Sequence, residues 1–375
     1  MTLQGKGFFT YNLLECEGGA PASILAEARA AGLSHVIVRI ADGVNVSGMA
    51  ASGFDTTAPV VQALRLNGFA TWGWQIIHGN QPSAEADLAI ARAQTLGLDG
   101  LVVNPGNEYE RPGMASAARQ FMAAVREALA VPIALSSYRF PNYHPELPWA
   151  TFLEFCDLHM PRVTWEQAHN AAEQLRESIR QCDALPNARP CVPTGAIYTT
   201  SSWSPAAEEV NEFLNTARDL GLEAVNFYHW DACRDRLPSL WTAVANFAWS
   251  APALDSRQAA AAIPIIDTPP IALLDDFLVE FLAALNSRQA AQVSAFYDPA
   301  ATQVWAEEIR QDAPAIQKGY EEFFANLPDG TVFTISQAQV RDNQRLFSWK
   351  AGWLRGETSL VLKSGKIILE HTFIA

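Results

Sequence analysis

The sequence predicts an α/β plus α+β protein: a (β/α)8 barrel of the TIM class followed by a smaller α+β domain. Three observations predict it. Eight short apolar runs recur between residues 7 and 230, helical-period stretches rich in Ala, Leu, Glu and Arg separate most of them, and composition and element order change after Trp249. A strand covered on both faces reads as a continuous apolar run, and strands alternating with helices require a parallel sheet. Eight such units in about 250 residues match the size of a closed barrel.

The runs are Phe8–Tyr11, His35–Arg39, Ala70–Trp74, Gly100–Asn104, Pro132–Ser136, Asp157–Met160, Pro190–Thr194 and Ala224–Tyr228. Helices are expected at Ala22–Ala31, Ser83–Leu96 and Asn211–Leu220, each stopped by a glycine (Gly32, Gly97, Gly221) and followed by Leu. That repeated tail is a helix-to-strand turn and carries no chemistry. In a barrel of this class the C-terminal ends of the strands hold the site, so the residues that follow each run are the ones to weigh.

The chain has 375 residues, 49% of them hydrophobic, with formal net charge -14. That length exceeds what one core usually holds, and the apolar content excludes a disordered chain. The acidic surface repels polyanions, so neither nucleic acid nor an anionic membrane is an expected partner. No apolar run approaches the ~18 residues that span a bilayer, and the start lacks the pattern of a secretory leader, so a cytoplasmic location is expected. Cys16, Cys156, Cys182, Cys191 and Cys233 are odd in number and irregularly spaced, and read as reduced thiols.

Residues 251–270, mixed Ala, Pro, Ser and Asp without period, read as a linker between domains at 1–250 and 271–375. In the second domain helices at Leu273–Asn286, Ala290–Tyr297 and Pro314–Asn326 precede strands at Val332–Val340, Arg345–Leu354, Thr358–Lys363 and Lys366–Ile374. Helices first and an antiparallel sheet afterwards define an α+β domain. The segments Phe296–Ala301, Ala315–Tyr320, Phe347–Ala351 and Gly365–Ile374 make it resemble the NTF2-like, or SnoaL-like, superfamily. The resemblance implies a cone of curved sheet around a cavity, with isomerases, cyclases and dehydratases among its members and others that only bind or dimerise. Asp298, Trp305, Trp349, Trp353 and His371 are then the candidate cavity residues, and a homodimer through this domain is an expectation.

In the barrel, Glu108 and Glu110 follow the fourth run. A general acid for glycoside cleavage needs a carboxyl whose pKa is raised by its surroundings, and Tyr109 beside Glu108 suggests such a setting. Asp231, after the eighth run, is the preferred second carboxylate, since glycosidases use two. Trp74, Tyr138, Trp165, Tyr198, Tyr228 and Trp230 supply flat faces for the C–H side of a sugar ring, and Asn104, Arg139 and Asn226 supply hydrogen bonds. His78 and His229 lack a second ligand at metal spacing, and no glycine-rich phosphate loop follows a strand, so neither metal nor cofactor is expected.

The segments Ser136–Trp149, Cys156–Trp165 and Val225–Asp231 resemble bacterial glycoside-hydrolase-like barrels that are distantly similar to muramidases. Those muramidase-like barrels commonly end the fourth strand with Asp-x-Glu, whereas this chain has Asn104-Pro105-Gly106. An amide neither donates nor accepts a proton at neutral pH, so Asn104 orients but does not catalyse. The expected function is therefore glycoside hydrolysis or carbohydrate binding at the barrel mouth, the ligand being a carbohydrate or other small molecule. The alternatives are a non-catalytic binding protein with a degenerate barrel site, or isomerase or cyclase chemistry in the second domain through Asp298 or His371.

Overall fold

The computed structural model describes residues 3–49, 55–166, 168–249, 274–305, 308–328, 330–341, 343–352 and 354–374. The chain forms two compact units, Met1–Asp255 and Ser256–Ala375. The expected linker and Trp353 lie outside the described residues.

The first unit has strands β1 (Gly5–Phe9), β2 (His35–Asp42), β3 (Asn45–Val46), β4 (Ala70–Ile77), β5 (Gly100–Pro105), β6 (Ile133–Tyr138), β7 (Leu158–Val163), β8 (Thr194–Ala196) and β9 (Ala224–Tyr228). The order β1-β9-β8-β7-β6-β5-β4-β2, closed by parallel β1–β2 pairing, is an eight-stranded parallel barrel; β3 adds a short antiparallel arm to β2. All eight apolar runs overlap a barrel strand. The seventh is displaced: Pro190 and Pro193 lack the N–H a ladder needs, so regular pairing begins only at Thr194.

Helices α1 (Pro21–Ala30), α2 (Thr57–Leu66), α3 (Pro82–Leu96), α4 (Ala115–Ala128), α5 (Trp149–Phe155), α6 (Ala171–Asp183), α7 (Ala207–Asp219), α8 (Trp230–Arg236) and α9 (Pro238–Asn246) complete the unit. Gly97 stops α3 in the left-handed conformation (φ 62°), where a side chain is strained. Alternation along the strands sorts residues into two cores. Ile37, Trp72, Trp74, Val102, Ala134, Leu158, Met160 and Ala224 fill the barrel, while Phe8, Val36, Val38, Leu101, Val103 and Phe227 face the helices.

The second unit has α10 (Asp276–Ser287), α11 (Ala290–Ser294), β10 (Tyr297–Trp305), β11 (Glu308–Gln311), α12 (Ala313–Ala325), β12 (Phe333–Arg341), β13 (Gln344–Ala351), β14 (Leu354–Lys363) and β15 (Lys366–Ile374). Its sheet order is β11-β10-β15-β14-β13-β12. The sheet is mixed, because β10 forms before α12 and returns parallel to β15. The antiparallel expectation holds for the other pairs. Among the described residues no helix is long and apolar enough to cross a membrane.

Candidate binding site at the barrel mouth

A cavity of about 490 Å³ opens at the C-terminal ends of the barrel strands, within the range that holds a small organic ligand. Phe9, Trp74, Tyr138, Phe140, Tyr198 and Tyr228 supply its flat faces, and Asn104, Arg139, His144, Arg162, Thr164 and Thr194 its polar groups. Parallel strands deliver these residues to one rim because each contributes its last inward side chains there. Trp74 is fixed by an indole N–H bond to the Thr10 carbonyl at 2.9 Å.

The electrostatics of this cavity are lopsided. Neither Arg139 nor Arg162 forms an ion pair among the described residues. Arg162 Nε donates to the Ser137 carbonyl at 3.3 Å and its guanidinium lies 5.4 Å from the Tyr138 ring. Burial pushes its pKa down, a sign that the charge is poorly solvated. Arg139 donates to the carbonyl and hydroxyl of Thr164. Among the described residues no carboxylate lines the cavity. Acids stand one layer behind: Tyr138 donates its hydroxyl to Glu110 at 2.6 Å, and Tyr198 donates to Glu166. With their protons engaged there, both phenol oxygens keep lone pairs for a ligand. Burial, then Glu110, pushes Tyr138 up to about 12. The buried Oδ1 of Asn104 and Oγ1 of Thr194 have no hydrogen-bond partner among the described residues.

Of the residues singled out in the sequence, Trp74, Asn104, Tyr138, Arg139, Tyr198 and Tyr228 meet at this cavity. Trp165, Asn226 and Trp230 do not. Each is fully buried. Trp165 turns into the layer between sheet and helices against Phe213 and Trp203, and Trp230, opening α8, packs on Trp241 and Phe8. Asn226 lies deeper in the barrel, its Oδ1 2.6 Å from His35 Nε2.

The three carboxylates, Glu108, Glu110 and Asp231, lie off the cavity lining. Tyr109 is buried against Phe152, while the Glu108 side chain remains 26% exposed. A bond from its own backbone N–H, with His78 at 3.3 Å, holds Glu108 below the usual carboxylate value, the reverse of the expected raised pKa. Glu110 is likewise held low by the Tyr138 hydroxyl and then by His144. Asp231 is 2% exposed and clamps the chain, accepting from the Tyr11 and Asn12 amides at 3.1 Å and pairing with His229. Burial acts to raise it, but these partners outweigh burial and leave it lowered. None of the three lines the cavity.

In the second unit a cavity of about 20 Å³ is lined by Trp305, Tyr320, Trp349, Thr358 and Glu370 among others. That is room for about one water. Glu370, not singled out in the sequence, is its polar centre: Tyr297, Gln303, Trp305, Tyr320 and Thr372 all donate to it. Trp349 donates to Thr358 at 3.0 Å, and Thr358 contacts Thr372. Asp298 instead caps the Ala300 amide away from this cavity. Burial lowers His371 to about 4. Glu370 has no short-range pattern on β15 to mark it, and its Trp and Tyr donors come from other elements.

No family model and no curated protein matches the chain. Solved structures resemble part of it. One is an NTF2-like protein of unknown function from Cytophaga hutchinsonii, 14% identical, covering 27% of this chain and 88% of its own, with TM-score 0.23. Another is a SnoaL-like family protein from Agrobacterium tumefaciens C58, described as a candidate isomerase, 19% identical over 26% of this chain and 94% of its own, TM-score 0.24. A third, from Burkholderia xenovorans, is an NTF2-like protein of unknown function, 14% identical over 26% and 80%, TM-score 0.24.

Proposed function

We propose that the barrel mouth binds a small carbohydrate carrying an acidic group, and that the barrel acts as a binding module. The observation that carries this reading is Arg162, a guanidinium on the wall of a 490 Å³ cavity with no acidic partner among the described residues. A poorly solvated cation is costly unless an anion meets it. Arg139 adds a second positive group on the same wall. The aromatic faces, the phenol oxygens of Tyr138 and Tyr198 and the unpaired atoms of Asn104 and Thr194 suit ring C–H groups and hydroxyls. Hydrolysis by two carboxyls has less support, because no described residue places a carboxyl on the cavity wall and each candidate acid has its pKa lowered by other partners.

Calorimetric titration with glucuronate and glucose tests the reading. The acid is expected to bind at least tenfold more tightly. Arg162→Met should weaken it by about ten- to a hundredfold, the worth of a charge-assisted hydrogen bond of about 1.5–3 kcal/mol. Equal affinity for both sugars, or an Arg162→Met protein that binds as before, overturns it.

A second reading rests on Glu370, a buried carboxylate with Tyr297 and Tyr320 beside it in the second unit. Carboxylates and phenols so placed move protons in isomerase and cyclase reactions. It requires the 20 Å³ cavity to open around a ligand. Deuterium exchange at the α-carbon of small ketones, followed by NMR, checks it; exchange no faster than in buffer sets it aside.

A further inference from the structure

The opposite end of the barrel holds a cluster that neither the mouth nor the second unit uses. His159 is the second residue of β7, and Cys191 pairs beside it through the bonds His159 N–H to Pro190 O (3.0 Å) and Val192 N–H to His159 O (2.8 Å). Their neighbours Leu158, Met160 and Val192 point into the barrel. Strand alternation therefore sends His159 and Cys191 outward, under the helix layer. There α6 brings Cys182, one turn after Ser178 on its buried face. One ligand atom from each of His159, Cys182 and Cys191 lies within 4.8 Å of the others, and all three residues are buried.

We propose that His159, Cys182 and Cys191 bind a soft d10 metal ion, Zn2+ or Cu+. Two thiols and an imidazole are the donor set such ions prefer. A second, independent feature points the same way. His159 is completely buried, Nε2 is engaged with the Ser137 hydroxyl at 2.6 Å, and Nδ1 finds no geometric hydrogen-bond partner among the described residues, the Cys191 thiol being the group that interacts with the ring. An imidazole anchored through one nitrogen by a hydrogen bond, with a thiol rather than a stronger acceptor beside the ring, is a form in which histidine meets a metal. The Trp149 ring, 5.8 Å away and edge-on, walls the site with apolar surface. Two thiolates balance the charge of Zn2+ without help from any other residue; with Cu+ one thiol keeps its proton.

Tetrahedral Zn–S and Zn–N bonds of about 2.3 and 2.0 Å set ligand atoms about 3.5–3.8 Å apart, so closing onto an ion takes side-chain shifts of about an ångström. A thiol ligates as the thiolate, so binding releases protons and affinity climbs with pH. Lying at the N-terminal end of the strands, the site fits a structural role, pinning the end of α6 to β7 and the approach to β8.

The test uses the full chain, reduced and metal-free. Co2+ titration should give a thiolate-to-cobalt charge-transfer band saturating at one ion per chain. Zn2+, in competition with a chromophoric chelator, and Cu+, in competition with a Cu+-specific chelator without oxygen, decide which ion is held more tightly. Either one raises the melting temperature. Cys182→Ser and Cys191→Ser should each weaken binding at least a hundredfold, with folding checked by circular dichroism. Cys156→Ser, a buried thiol outside the cluster, should bind like the parent. A parent chain that gives neither the band nor a melting shift overturns the proposal, and so does a band that survives in a folded Cys182→Ser/Cys191→Ser chain.

Discussion

The barrel mouth and the interior of the second unit are built on opposite electrostatic plans. At the mouth, two guanidiniums face an open cavity, and among the described residues no carboxylate lines its wall and nearby polar atoms have no partner. In the second unit a lone carboxylate, Glu370, is surrounded by five neutral donors in a space that holds about one water. An ion whose hydrogen bonds are completed by its own chain contributes to folding. One left incomplete beside an open cavity costs folding free energy and is free to contact a ligand. The contrast separates a group held for structure from one exposed for binding.

The sharpest way to break this comparison is to neutralise both ions and compare signs. Glu370→Gln sets an amide N–H against the donors of Tyr297, Trp305 or Gln303. Leaving one or two buried donors unpaired is expected to cost the second unit about 2–5 kcal/mol, measured by urea denaturation. Arg162→Met should act the other way. Removing a poorly solvated, unpaired charge is expected to leave stability unchanged or raise it by about 0.5–2 kcal/mol, the usual exchange at a binding site. If Arg162→Met destabilises the barrel as much as Glu370→Gln destabilises the second unit, the distinction fails and Arg162 is a structural group.

How much of this was legible in the sequence follows from the range of the forces involved. The eight strands were, because burial on both faces leaves a local apolar signature; β8 was misplaced only where Pro190 and Pro193 interrupt the ladder. Strand-end position also brought Trp74, Asn104, Tyr138, Arg139, Tyr198 and Tyr228 to a common rim. It misled for Trp165 and Trp230, because a residue one or two past a strand faces the cavity or the helix layer according to a turn that the sequence does not display. The pKa expectation for Glu108 failed for a related reason: its partner His78 lies thirty residues back, on a different strand end. Glu370 and the His159–Cys182–Cys191 cluster have no short spacing at all. Only the closed barrel, or the folded sheet, assembles them.

Asp231 sharpens the comparison, since it is a carboxylate on the barrel side that is completed as Glu370 is. Its pKa is lowered in the folded chain, so its contribution is present above the ordinary aspartate value of about 4 and is lost as pH falls through the folded value. Acidification from pH 5 to 3 is thus expected to destabilise the parent barrel. Asp231→Asn should be about 1–3 kcal/mol less stable at pH 7 and show a shallower acid slope. An unchanged slope in thermal melts across that range would mean that His229, Tyr11 and Asn12 do not hold the charge.

The smallest effect belongs to His78, at the rim, where solvent weakens what burial strengthens elsewhere. Burial acts to lower its pKa, but Asp42 at 2.7 Å and Glu108 at 3.3 Å outweigh it and the value is raised. A raised histidine stabilises the fold below the unfolded value of about 6.5, and that contribution disappears as pH climbs through the folded one. The side chain is 32% exposed, so the gain is expected to stay under about 0.5 kcal/mol and to shrink in salt. NMR titration of the His78 ring should give a pKa above 6.5 that drops when Asp42→Asn removes the closer partner. A value unmoved by Asp42→Asn would place the rim charges among those that solvent screens completely, and would confine the electrostatic contrast to the interior.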